Sequence, residues 1–140
     1  MVLVAAASLL CAAAWASGEA VAPGTYEITA QVVMPHLEEN LRYATTRERR
    51  CLRGHDLASV FPILRHHSLE GCKLGAETRS GGTTRYVLAC ASPQVATGAA
   101  RLDAASGRIS GSLEIKMGGK NMTFSQRIEA LRQGDCARVP

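Results

Sequence analysis

The chain has 140 residues, 46% hydrophobic and only 4% aromatic, with a net charge of +4 from 16 basic and 12 acidic side chains. That is one domain's worth of apolar material, too hydrophobic to stay disordered and too short for a multidomain enzyme. Nucleic acid is a poor partner, because the charge is only mildly basic and no aromatic side chain is interleaved with the basic run.

Residues 2–16 are an uncharged run rich in Ala, Leu and Val that ends Ala14-Trp15-Ala16. It is too short to span a bilayer, which takes ~20 apolar residues. The small-x-small ending marks residues 1–16 as a secretory signal peptide cut before Ser17. Its basic n-region is missing, so the α-amino group supplies the charge or the true start lies upstream. Lipidation of Cys11 is disfavoured by the bulky Leu10 before it, and a buried N-terminal helix is the bland alternative. No other segment is a candidate span. Residues 17–22 form a tether, 23–136 a single β domain and 137–140 a frayed tail.

Loss of the leader leaves Cys51, Cys72, Cys90 and Cys136, an even number that implies two disulfides in an exported domain. With no Cys-x-x-Cys and no His-x-x-x-His, a zinc cluster is not expected. Pro23-Gly24 opens the domain. Thr25 to Met34 alternates, with Tyr26, Ile28, Ala30, Val32 and Met34 on one side, and so reads as a strand with one wet face. Leu41 to Cys51 is a second strand whose polar half suits a sheet edge. It holds Arg42, Arg47, Arg49 and Arg50, with Arg53 just beyond. Asp56 can cap a short helix over Leu57-Ala58-Ser59, with Val60, Phe61 and Leu64 at helical spacing and Pro62 interrupting it; one or two turns would plug an open end of the sheet. His66-His67 follow as a loop feature.

Lys73 to Ala91 reads as a hairpin with a three-residue loop, Ser80-Gly81-Gly82. That register sets Leu74 against Leu88, Glu77 against Arg85 and Cys72 against Cys90. It predicts a Cys72–Cys90 bridge and, by exclusion, Cys51–Cys136. Val95 to Asp103 is the next strand, joined by a loop Ala104 to Gly107 that places Leu102 opposite Ile109, Gly98 opposite Leu113 and Ala96 opposite Ile115. Its small inward residues Ala96, Gly98 and Ala100 indicate tight curvature or close packing on the helical plug more than a cavity. Gly118-Gly119 then serves as a two-residue turn between strands of Arg108 to Leu131. From that turn Ile115 faces Met122, Leu113 faces Phe124 and Ile109 faces Ile128. The fold class is therefore mainly β: an antiparallel meander of about seven strands, as a curved sheet or partly open barrel, with one short helix between the second and third strands.

Pro23-Gly24-Thr25-Tyr26-Glu27, Cys51-Leu52 with Asp56-Leu57, Cys72-Lys73, Cys90, Ala96-Thr97-Gly98 and Gly134-Asp135-Cys136 occur in an order that resembles the exported proteobacterial family known as domain of unknown function 3617. The resemblance runs from Pro23 to Cys136. Family members tend to open Pro-Gly-Leu-Trp-Glu and to be richer in methionine, where this chain has Tyr26 and Met34, Met117 and Met122. It implies an exported, periplasmic, disulfide-bonded β domain and no particular activity.

No Gly-x-Ser-x-Gly elbow, His-Glu-x-x-His or glycine-rich phosphate loop occurs, so neither an enzyme nor a cofactor is expected. The leading expectation is a small non-enzymatic binding or accessory module. Its apolar sheet face, with Tyr26, Tyr86, Leu113, Ile115 and Phe124, would hold an apolar small molecule or a partner protein's segment in the envelope. The alternatives are copper handling through Met34, Met117 and Met122 with His36, since thioethers suit Cu(I), and envelope docking through the Arg42–Arg53 strand. Trp15 is the only tryptophan, so the cleaved protein is expected to show no indole fluorescence; an emission spectrum of the exported form checks it.

Overall fold

The alternation of apolar and polar residues resolves, in a computed structural model describing residues 21–34, 43–54, 57–119 and 122–138, into seven antiparallel strands. They are β1 (Gly24–Val33), β2 (Tyr43–Leu52), β3 (Lys73–Ser80), β4 (Thr83–Ala89), β5 (Ala96–Ala105), β6 (Arg108–Met117) and β7 (Met122–Gly134). Their order across the single sheet is β2-β1-β7-β6-β5-β4-β3, so β2 and β3 are the two edges and the sheet is open, not closed into a barrel. The polar β2 does lie at an edge. The leader over 1–16, with Cys11 and Trp15, lies outside the described residues, as do His36, Arg42 and Asp56.

Period-two patterning puts one face of this sheet in the core. Tyr26, Ile28, Ile109, Leu113, Ile115 and Ile128 are all 2% exposed or less. A single sheet cannot bury such a face against itself, and the cover comes from the one long connection, residues 53–72, which joins edge β2 to edge β3. The short helix expected there is three 3-10 turns, Leu57–Val60, Pro62–Arg65 and His67–Leu69, with no α-helix among the described residues. Pro62 sits at the start of the second turn, where its missing N–H leaves no helical bond unmade. Leu57, Val60, Phe61 and Leu69 are buried in the same core as the sheet face. Burying Phe61 alone contributes about 1.5–3 kcal/mol.

Three polar contacts hold the cover in place. Gln126, 2% exposed in the middle of β7, accepts a hydrogen bond at Oε1 from the Ile63 backbone N–H at 3.1 Å. Arg50 of β2 donates to the Ser59 carbonyl, and Arg65 donates to Glu48 of β2 at 2.7 Å.

Two strand registers differ from the sequence expectation by two residues, which leaves every side chain on its expected face. In the β6–β7 pair Met117 faces Met122, Ile115 faces Phe124 and Leu113 faces Gln126, and the loop comprises 118–121 in place of Gly118-Gly119 alone. Gly118 is needed elsewhere: its N–H donates to the Val95 carbonyl at 3.0 Å, and a Cβ there would lie 2.1 Å from the Gln94 carbonyl oxygen. In the β5–β6 pair Leu102 faces Gly111, Ala100 faces Leu113 and Gly98 faces Ile115, with a tight Ser106-Gly107 turn in place of the four-residue loop. Leu102 fills the space above Gly111, where a Cβ would meet its Cδ2 at 2.3 Å. The small residues of β5 do serve close packing, since a Cβ on Gly98 would come within 2.3 Å of the Glu114 carbonyl oxygen.

The β3–β4 hairpin has a two-residue Gly81-Gly82 turn and recovers the expected register through a bulge. Thr78 faces Arg85 above it, where Glu77 was expected, and Leu74 faces Leu88 below it. Ala76, at φ +50°, takes up the extra residue. The base of the hairpin joins Cys72 to Cys90, and Cys51 is joined to Cys136 across 85 residues. To reach Cys51 the tail passes β1 at Thr25, whose hydroxyl donates to the Asp135 carbonyl at 3.1 Å.

Gln126→Leu is expected to lower unfolding stability by about 1–3 kcal/mol, because the Ile63 N–H is left without its acceptor; chemical denaturation measures it. Gly118→Ala should cost about 2–3 kcal/mol through its collision with the backbone at Gln94. Gly54→Ala, whose Cβ meets nothing within 4 Å, should leave the unfolding midpoint unchanged in the same experiment.

Candidate functional site

The five side chains expected to form an open apolar surface share one face, and all five are core. Leu113 and Ile115 are fully buried, Tyr26 is 1% exposed and Tyr86 5%. The 53–72 connection covers them, so the sheet interior is filled and that part of the expected ligand surface is closed. Burial pushes the Tyr26 and Tyr86 phenols above their ordinary value. Both stay neutral near neutral pH and offer no base; Tyr26 instead donates to the Ala22 carbonyl at 2.7 Å.

Phe124, itself only 7% exposed, also borders a cleft of about 350 Å³ at one end of the core. The sheet wall of this cleft is Met34, Met117, Met122 and Phe124; the opposite wall is Ile63, His66, Ser68 and Leu69 of the covering segment, with Gly118 at the rim. The convergence follows from the strand pattern. Met34 continues the buried parity of Tyr26, Ile28 and Ala30, Met117 that of Leu113 and Ile115, and Met122 that of Phe124 and Ile128. Met117 and Met122 are direct register partners. All three methionines are only half-buried; among the described residues the cover stops short of this end.

Among the described residues no Asp, Glu, Lys or Arg lines the cleft. His66 and Ser68 meet through the Ser68 backbone N–H, which donates to His66 Nδ1 at 3.2 Å. A nucleophile–base pair needs the hydroxyl in that contact, so these two residues form a turn and not a catalytic dyad. The adjacent His66 and His67 rings lie against one another, centroids 4.2 Å apart. Among the described residues no group of three or more His, Cys, Asp or Glu side chains could hold a metal ion. The methionine set expected for copper is brought together, whereas His36 lies outside the described residues. The sequence signal for His66 as a wall residue was its place in the segment that crosses the sheet.

The arginine run does not form one patch. Arg47 and Arg49 are exposed and both approach Glu27, at 3.9 and 3.7 Å. Arg50 turns to the other face to hold the cover. Strands alternate their side chains, so a run that is dense in sequence is split in space. No helix among the described residues is long and apolar enough to cross a membrane.

Neither a curated protein nor a solved structure matches this chain. The family model described as "Protein of unknown function (DUF3617)" matches residues 21–136, from the approach to β1 through the last cysteine, and so takes in every strand, the covering segment and both disulfides. The chain belongs to that family.

Proposed function

We propose that the protein is a small non-enzymatic binding module of the bacterial periplasm, and that the end cleft is its binding element. The observation that carries this reading is the incomplete cover: among the described residues the apolar face is buried under the 53–72 segment except where half-buried Met34, Met117 and Met122 join buried Phe124 around a cleft of about 350 Å³. Ligand sites are concave, mostly apolar and preformed, and run from about 300 Å³ upward. This one is at the small end, so its occupant is a compact ligand with an apolar or soft surface. Both disulfides fit an oxidising compartment. Docking through the arginine strand is the weaker reading, because Glu27 faces Arg47 and Arg49 and Arg50 points away from them.

A neutral apolar dye such as N-phenylnaphthylamine is expected to bind the purified protein saturably, one molecule per chain. Ser68→Trp, which fills the mouth of the cleft from an exposed position, should weaken the dye by about tenfold or more. Val87→Trp, at a position 53% exposed away from the cleft, should leave it unchanged. Absence of dye binding, or equal binding in the Ser68→Trp protein, overturns the assignment of the cleft.

A further inference from the structure

We infer that the cleft is a Cu(I) site built from the three thioethers of Met34, Met117 and Met122; this rests on the cleft being the binding element and names its ligand. The three sulfur-bearing side chains come from separate strands or strand ends, share one face of the sheet and line one opening. All three are half-buried at the end of the sheet that the described part of the cover does not reach. Methionine is unbranched with three rotatable bonds, so side chains anchored on a rigid sheet can still close around an ion.

The donor set selects the ion. Thioether sulfur is a soft ligand that favours Cu(I), while Mg²⁺, Ca²⁺ and Mn²⁺ take carboxylate and carbonyl oxygen. Among the described residues no acidic side chain lines the cleft, so they offer a hard divalent cation no carboxylate to replace its water. The four cysteines of the described chain are bound in disulfides, which leaves thioethers as the available sulfur donors there. His66 borders the cleft, but its Nδ1 already accepts from the Ser68 N–H, so in the neutral ring the proton sits on Nε2 and neither nitrogen offers a lone pair. Among the described residues the ligand set is therefore neutral and sulfur-only, and the Phe124 ring on the same wall can add a cation–π contact.

A neutral thioether set has a signature that cysteine or histidine ligation lacks. Thiolate and imidazole ligands must lose protons to bind, which makes their affinity fall with pH. Thioethers have no proton to lose, so Cu(I) should stay bound from about pH 7 to about pH 5. Sulfoxide formation converts the same atoms to a polar group and should release the ion.

The test uses purified protein with both disulfides intact, titrated anaerobically with tetrakis(acetonitrile)copper(I) against the chromophoric chelator bicinchoninate. One Cu(I) per chain is expected. Met34→Leu, Met117→Leu and Met122→Leu should each weaken it by about tenfold or more, the triple variant should abolish it, and Val87→Ala, at an exposed position away from the cleft, should leave it unchanged. Leucine for methionine keeps volume and costs less than about 1.5 kcal/mol, so thermal unfolding of the variants verifies their fold. No retained Cu(I), equal retention by the triple variant, or loss on going to pH 5 or on Val87→Ala overturns the inference. The apolar dye separates the two levels: if the dye binds and Cu(I) does not, the copper site alone fails. If neither binds, the cleft fails as a binding element.

Discussion

One constraint organises this molecule: a single sheet with one apolar face has to be covered by something other than a second sheet. Residues 53–72 are the only long connection between strands in the described chain, and they run from one edge of the sheet to the other. The hydrogen bond from Ile63 to buried Gln126 fixes where the cover crosses. A glutamine in the middle of a core face would be costly unpaired; paired to a backbone N–H that has no helical partner, it satisfies both groups at once. The contacts from Arg50 and Glu48 secure the cover on the β2 side.

The cleft is a by-product of that solution. Three 3-10 turns rise steeply and make poorer hydrogen bonds than an α-helix, and among the described residues nothing else roofs the Met117–Met122 end of the sheet. Rigid strands hold one wall and the turns hold the other. Such an arrangement combines a fixed set of side chains with a wall able to adjust, which suits reversible capture of a small ligand.

Strand existence, the identity of the core face and both disulfides were legible from alternation and cysteine count. Register was less so, and the reason is physical. A slip of two residues moves no side chain across the sheet, so Leu113 facing Phe124 and Leu113 facing Gln126 satisfy the pattern equally well. The choice depended on contacts outside the hairpin: Gly118 against Gln94 and Val95, and Leu102 over Gly111. A pair of glycines looks like a turn whether its task is to bend the chain or to let another backbone approach. The cleft was hidden for a related reason. Met34, Met117 and Met122 carry the parity of core residues, and only the extent of the cover decides that they line an opening. Leu113, Ile115 and Tyr26 have the same parity and are sealed.

The strand order holds a further consequence. β1 lies beside β7, with Thr25 opposite Gly134, and Arg132 donates to the Pro23 carbonyl at 3.1 Å. The entry and exit of the domain are thus neighbours. If those two points were spliced and the chain reopened between β2 and β3, the strands would follow one another β3-β4-β5-β6-β7-β1-β2 in sequence as they do in space. The native chain is a circular permutation of an uninterrupted up-and-down meander. Its contact order is raised mainly by joining the first hairpin to the last strand, a non-local step that slows assembly. What this connectivity secures is a roof tethered at both ends, which a simple meander with a free terminus would lack.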